Sequence, residues 1–176
     1  MWRSFPHFSK VAYVDIETTG LAQNDHVTVV GVFDGMHTHS YVHGFNLSDF
    51  PKEIEKYDAV VTFNGSMFDL PFLRRAMKDI RLPPLHIDLR FLLASLGVRG
   101  GLKRIELQFG MEREDDLKGL TGYDAVLLWD AYIRKNDKDA LDKLVRYNSA
   151  DISNLKKLME WAYREKRIRT GFDDIL

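Results

Sequence analysis

Residues 11–21 read VAYVDIETTGL, a β-branched and apolar run that ends in two carboxylates and a Thr-Thr-Gly turn. Side chains two positions apart on a strand share a face, so Tyr13, Asp15 and Glu17 are predicted to point the same way. Two acids at the mouth of an apolar strand repel each other and lose hydration, and a divalent cation between them relieves both costs. The alternative is that the strand ends early and both acids face solvent.

The remaining pattern indicates an α/β or α+β domain in which strands come first and helices last. Asp34-Gly35 is a hairpin signal between strands at 26–33 and 37–42, which predicts an antiparallel opening. The later segments are predicted as strands at 58–63 and 85–89, and as helices at about 46–57, 66–78, 91–96, 102–109, 123–135 and 140–165. We expect one domain over 1–176 with a core at about 11–165, and a loose tail from residue 169.

Composition excludes several classes of protein. The 45% hydrophobic and 12% aromatic content is typical of a folded globule. Cysteine is absent, which excludes disulfides and thiolate metal sites. No apolar run reaches membrane-spanning length and residues 1–7 lack a signal-peptide core, so we expect a cytoplasmic protein without membrane contact. With a net charge of −1, any attraction for phosphates must be local.

A second candidate site lies at 63–73, FNGSMFDLPFL, a predicted strand–turn–helix junction. One interpretation of Asp69 is structural, because Ser66 and Asp69 have the spacing of a helix capping box. The other is functional, because Asp69 follows the end of a buried strand, where α/β proteins bind their ligands.

A third candidate site lies in the last predicted helix, where Tyr147 and Asp151 are four residues apart and share a face. The same face carries Ala140, Leu144 and Leu155, so both polar groups are predicted to point inward. A buried carboxylate needs a partner, and a cation shared with Asp15 would supply one. The alternative is an ordinary pair on the helix surface.

The three segments together resemble the DEDD family of 3′–5′ exonucleases in the ribonuclease H-like superfamily. The family's first motif is Asp-x-Glu before Thr-Gly-Leu, its second an Asn-x-x-x-Phe-Asp type of junction, and its third, in the tyrosine branch, Tyr-x-x-x-Asp. Here these motifs correspond to Asp15–Leu21, Asn64–Asp69 and Tyr147–Asp151. The likeness extends to the YprB-like ribonuclease H branch through 87–89, 101–106, 109–110 and 113–116, although that branch often has histidine where this chain has Tyr147.

The resemblance implies a ribonuclease H-like fold, with a mixed five-stranded sheet whose second strand is antiparallel. It implies a metal-dependent 3′–5′ exonuclease that releases nucleoside 5′-monophosphates from a single-stranded 3′ end, DNA being the expected substrate. Two Mg²⁺ or Mn²⁺ ions would be held by Asp15, Glu17, Asp69 and Asp151, with Asp15 bridging both. Tyr147 would orient the attacking water. The residues implied to contact the terminal nucleotide are Thr18, Thr19, Leu21, Asn64 and Phe68.

Two alternative functions remain open at this point. An RNA-trimming exonuclease would use the same residues, and a catalytically silent nucleic-acid-binding or docking module would use the same scaffold. The family's four acids are all present, which favours an enzyme. No protein partner is indicated, and a monomer is the expected state. We also expect the charged loop Glu112–Asp116 to be solvated and Asp88 to have a structural role.

Overall fold

A five-stranded mixed sheet forms the centre of the fold in a computed structural model that describes residues 2–171. The strands are β1 (Val11–Thr18), β2 (Val27–Phe33), β3 (Thr38–Val42), β4 (Ala59–Thr62) and β5 (Leu85–Asp88). Their order is β3-β2-β1-β4-β5. β2 is antiparallel to both β1 and β3, whereas β1, β4 and β5 are parallel. The predicted α/β architecture with an antiparallel second strand is therefore confirmed.

Within the described part of the chain, six α-helices pack against this sheet. They are α1 (Phe50–Ile54), α2 (Asp69–Ala76), α3 (Leu89–Ala94), α4 (Leu102–Gln108), α5 (Gly122–Lys135) and α6 (Lys138–Thr170). Short 3₁₀ segments occur at Trp2–His7, Leu47–Asp49 and Asp115–Leu117. Within residues 2–171, no helix is long and apolar enough to cross a membrane.

The alternation of β1 separates two hydrophobic cores. Ala12, Val14 and Ile16 are buried on one face, where they pack with apolar residues of α1 and α2. Tyr13 lies on the other face, in a cluster with apolar residues of α3 and α6. Because side chains alternate along a strand, Asp15 and Glu17 follow Tyr13 onto the α6 side of the sheet. The start of the strand therefore contributes to the core and its end contributes to a site beside α6.

The helix boundaries differ from the sequence prediction where side chains provide caps. Helix α3 begins at Leu89, earlier than predicted, because the Asp88 carboxylate accepts a hydrogen bond of 3.1 Å from the Arg90 amide. Helix α6 begins at Lys138 because the Asp137 carboxylate accepts one of 3.1 Å from the Ala140 amide. The cap that Asp88 provides is the kind of structural role that the sequence predicted for this residue.

The end of α6 also differs from the prediction. The helix continues beyond residue 165 to Thr170, and Gly171 ends it in a left-handed conformation with φ of 58°. The Arg169 side chain donates a hydrogen bond of 2.9 Å to the Leu96 carbonyl, which ties the last turn to the body of the domain. The loose tail was wrongly predicted for residues 169–170, and the rest of that prediction, at 172–176, lies outside the described residues.

Candidate active site

Three carboxylates converge where β1 ends beside α6. One oxygen each from Asp15, Glu17 and Asp151 lies within 4.8 Å of the other two. Strand β1 supplies the first two side chains from one face, and the inward face of α6 supplies the third. The alternatives in which these acids face solvent are wrong, because Glu17 and Asp151 are buried and Asp15 is partly buried.

The acids raise one another's pKa values. Burial raises the pKa of Asp15 well above its usual range, and the nearby charges of Asp151, Asp69 and Glu17 raise it further. Burial and the charge of Asp151 likewise raise the pKa of Glu17, against a smaller lowering by Lys103. The cluster therefore carries an unfavourable concentration of negative charge that a cation would relieve.

Asp69 lies in the same cleft but outside the group of three. Its buried carboxylate accepts a hydrogen bond of 3.2 Å from the Ile16 amide, which anchors it to β1. Burial raises the pKa of Asp69 to about 7, against the lowering effect of its backbone hydrogen bonds. Its charge also raises the pKa values of Asp15 and Glu17, so the residues are electrostatically connected.

The capping interpretation of Asp69 is wrong. Helix α2 begins at Asp69 itself, and the preceding Phe68 makes no side-chain capping hydrogen bond. Ser66, the expected partner, donates through both its amide and its hydroxyl to the Asp88 carboxylate. Asp88 also accepts a hydrogen bond of 2.8 Å from the Asn64 amide, so it holds this junction beside the parallel strands.

Tyr147 is buried between the acids and a lysine. The Lys103 ammonium donates to the Tyr147 hydroxyl and lies 4.4 Å from the centre of its ring. Burial raises the pKa of Tyr147, and the charges of Asp151, Glu17 and Asp15 raise it further. The phenol is therefore neutral at physiological pH and can position a water molecule, but it cannot serve as an anionic base.

Arg113 corrects the expectation that the whole loop at 112–116 is solvated. Its side chain is only 7% exposed, and it contacts two acids. Nε and Nη2 donate hydrogen bonds of 2.8 Å to the two carboxylate oxygens of Glu106, and Nη2 also donates to Asp151. Asn154 donates to Glu106 at 3.0 Å. This network fixes one side of Asp151, and the local pattern, an arginine within an acidic run, did not reveal it.

A cavity of about 440 Å³ opens over the acids. Four of the five residues predicted to contact a nucleotide line it, namely Thr18, Leu21, Asn64 and Phe68. Thr19 does not belong to the lining, and its hydroxyl donates a hydrogen bond of 2.8 Å to Asp25 in the loop after β1. Leu21 is 83% exposed at the rim, and Tyr123, which sequence reasoning missed, is 70% exposed and lines the same cavity.

A second, smaller cavity of about 270 Å³ reaches the same acids from the side of α4. Its lining includes Asp15, Tyr147 and Asp151 together with the basic residues Lys103 and Arg104. Arg104 is exposed, whereas Lys103 is half-buried. The acids thus lie between a large cleft with apolar walls and a groove with a basic side, a combination that suits a phosphate-containing chain.

Family comparison agrees with this architecture. Residues 12–163 match the model of a family described as the RNase_H superfamily, and the chain belongs to that superfamily. No curated protein matches the sequence at a significant level. The fold prediction made from the motifs is therefore confirmed at the level of the superfamily.

Solved structures share the fold at low sequence identity. The family B DNA polymerase of Pyrobaculum calidifontis is 19% identical with a TM-score of 0.63, covering 90% of this chain and 24% of the polymerase. This chain therefore spans about a quarter of that polymerase. NrnC of Brucella melitensis bound to pGG is 20% identical with a TM-score of 0.61, covering 92% of this chain and 74% of NrnC.

Two further structures show the same likeness. Brucella melitensis NrnC with bound Mg²⁺ is 18% identical with a TM-score of 0.57, covering 92% of this chain and 75% of NrnC. The Nibbler EXO domain of Aedes aegypti is 12% identical with a TM-score of 0.52, covering 93% of this chain and 81% of that domain. At these identities the likeness shows the fold alone.

Proposed function

We propose that the protein is a metal-dependent 3′–5′ exonuclease acting on single-stranded nucleic-acid ends. The observation that carries this proposal is the convergence of Asp15, Glu17 and Asp151 within 4.8 Å, in a cleft of about 440 Å³. Such a cleft is within the range of about 300–1,000 Å³ that is typical of small-ligand sites. The exonuclease domain of Nibbler, which shares the fold, supports this class of activity.

The donor set fits hard divalent cations. Carboxylate oxygens are the ligands that Mg²⁺ and Mn²⁺ prefer, and the mutual repulsion of these acids is the cost that a cation would offset. We propose that Asp15, Glu17 and Asp151 hold one ion and that Asp15 and Asp69 hold a second. The Mg²⁺ bound to NrnC, a structural neighbour, supports a divalent metal. Bound metal would supply an activated water and neutralise the charge on the leaving 3′ oxygen.

The protein's own groups then orient the reaction. The Tyr147 hydroxyl positions the attacking water, whose oxygen bonds to phosphorus as the bond to the 3′ oxygen breaks. Arg113 donates a hydrogen bond to the Asp151 carboxylate, which would restrain the orientation of this acid while substrate binds. The products are a nucleoside 5′-monophosphate and a chain shortened by one nucleotide that again ends in a 3′ hydroxyl.

The two cavities suggest how a strand lies in the site. We propose that the terminal nucleotide occupies the larger cleft, with its base between Leu21 and Tyr123 at the rim. Aromatic side chains stack on bases of any sequence, which suits an exonuclease that removes successive nucleotides. The preceding backbone would then follow the smaller groove past Lys103 and Arg104. The protein as a whole has a net charge of −1, so the positive charge that attracts phosphates would come locally from these two residues.

The experiment uses 5′-labelled single-stranded DNA, single-stranded RNA and duplex DNA with Mg²⁺ or Mn²⁺. The proposal predicts a ladder of products that shorten one nucleotide at a time from the 3′ end, and no products in EDTA. Internal cleavage, release from the 5′ end or full activity in EDTA would contradict it. Cleavage of RNA alone would identify the RNA-trimming alternative, and metal-dependent binding without cleavage would identify the silent module.

A further inference from the structure

Asn148 lies between Tyr147 and Asp151 on α6 but points toward the sheet. It is completely buried. Its amide nitrogen donates to the Asp15 carboxylate at 3.0 Å and to the Asp15 backbone carbonyl at 3.3 Å. The amide oxygen is buried without a hydrogen-bond partner. Burying the amide oxygen without a partner costs free energy, and the contact between the amide nitrogen and Asp15 offsets part of that cost. Packing alone would not require a polar side chain at this position.

Gly31 makes this contact possible. It pairs directly with Asp15 in the antiparallel register of β1 and β2. Its φ is not in the left-handed region, so the backbone does not require a glycine at this position. A Cβ added there would lie 2.1 Å from the Asn148 amide oxygen and 2.9 Å from Cδ1 of Ile152. The missing side chain is what lets this part of α6 approach the sheet.

The type of side chain at 148 also matters. A charged donor would attract Asp15 but would compete with a cation for its negative charge, whereas an amide holds the carboxylate and adds no charge. Arg113 contacts Asp151, and Lys103 contacts Tyr147, so the positively charged groups lie on other members of the site. Asp15 belongs to the three acids that could hold a metal ion, and the neutral amide of Asn148 donates to it.

We propose that Asn148 is a positioning residue that orients the Asp15 carboxylate for metal binding, and that Gly31 provides the space it needs. The inference rests on the proposed function, because it assigns the orientation to a metal ligand. Partners that orient metal ligands typically contribute about 10- to 100-fold to metal affinity or activity. The hydrogen bond from Asn148 to the Asp15 backbone carbonyl additionally fixes the distance between α6 and β1.

The test compares Asn148→Ala, Gly31→Ala and the double variant with the wild-type protein. Mn²⁺ affinity is measured by calorimetry, cleavage by single-turnover assay at saturating Mn²⁺, and stability by thermal unfolding in EDTA. Asn148→Ala should weaken Mn²⁺ binding or cleavage by about 10- to 100-fold. Gly31→Ala should unfold at a lower temperature because its methyl group meets the Asn148 oxygen.

The double variant separates positioning from packing. Without the amide, the methyl group added at Gly31 loses its 2.1 Å contact and keeps only the milder one of 2.9 Å with the flexible end of Ile152. The double variant should therefore unfold at a higher temperature than Gly31→Ala while its Mn²⁺ affinity and cleavage stay low. It also provides the same test if Asn148→Ala alone does not fold. Ile152→Val is the matched control, because it trims a buried neighbour of Gly31 on the same helix. This control should keep wild-type Mn²⁺ affinity.

The inference is overturned if Asn148→Ala and the double variant bind Mn²⁺ and cleave within about twofold of the wild type, a change far below that expected for a ligand-orienting group. It is also overturned if the double variant regains affinity together with stability, since Asn148 would then act through packing alone. Failure of the proposed function is recognised separately, in the wild type. A wild-type protein that neither binds Mn²⁺ nor cleaves would refute that function and the inference with it.

Discussion

Replacing Asp69 with asparagine should stabilise the metal-free protein at about pH 8. The pKa of Asp69 is about 7, against an ordinary value of 3.8 for an aspartate. Between these values the folded protein holds a proton that the unfolded chain has released, so stability falls as the pH rises through this window. At about 1.4 kcal/mol per pKa unit, the loss by pH 8 is roughly 4 kcal/mol.

The substitution removes this loss and keeps the local hydrogen bond. The oxygen of an asparagine can still accept from the Ile16 amide, which Asp69 contacts at 3.2 Å. At pH 8 in EDTA, Asp69→Asn should therefore be more stable than the wild type by up to roughly 4 kcal/mol, or about 10 °C in Tm. At about pH 5, roughly one unit above the ordinary pKa of 3.8, the difference should shrink to roughly 2 kcal/mol, and it should vanish only below that pKa.

The assay is urea and thermal unfolding in EDTA at pH 5 and pH 8, followed by circular dichroism. Asp79→Asn is the control, because it changes an exposed aspartate and should have little effect at either pH. Mg²⁺ should stabilise the wild type at pH 8 more than it stabilises Asp69→Asn. Equal stability of Asp69→Asn and wild type at both pH values would refute the assignment of Asp69 to a buried, mutually repelling group of acids.

Three further substitutions separate the roles in the site. Asp15→Asn should abolish cleavage while circular dichroism shows an intact fold, and full activity would refute the assignment of Asp15. Tyr147→Phe should slow single-turnover cleavage by about ten- to a thousandfold. Its Mn²⁺ affinity by calorimetry should persist, and an unchanged rate would exclude a positioning role. Arg113→Met leaves Glu106 and Asp151 without their shared partner and should cost about 3–5 kcal/mol in urea unfolding, so unchanged stability would show that the network is not formed.

Local sequence patterns were sufficient to predict the strands and the antiparallel opening, whereas the five-stranded mixed sheet as a whole followed from the family resemblance. The alternation at 11–18 placed Asp15 and Glu17 on the face of Tyr13, and the Asp34-Gly35 turn set the antiparallel opening. The same alternation placed both acids on the side where α6 packs. The positions of two members of the acid group could therefore be predicted from strand geometry alone. The spacing of Tyr147 and Asp151 then placed both on the helix face that meets them.

The features that the sequence did not predict depend on long-range contacts. Ser66 and Asp69 have the spacing of a helix capping box, but the hydroxyl of Ser66 donates instead to Asp88, 22 residues away. Arg113 looked solvated because its partner Asp151 lies 38 residues further along the chain. Local patterns contain no signal for such pairs, since the tertiary fold brings the partners together. The full length of α6 was missed for a related reason, because its last turns are held by contacts such as the one to Leu96.

Anomalous diffraction from crystals of the protein grown or soaked with Mn²⁺ tests whether the clustered acids bind metal. We expect a strong anomalous peak within coordination distance of carboxylate oxygens of Asp15, Glu17 and Asp151, and its loss in crystals of Asp15→Asn. A well-ordered crystal that binds Mn²⁺ only elsewhere, or that keeps the peak in Asp15→Asn, would contradict the claim that these acids form the metal centre.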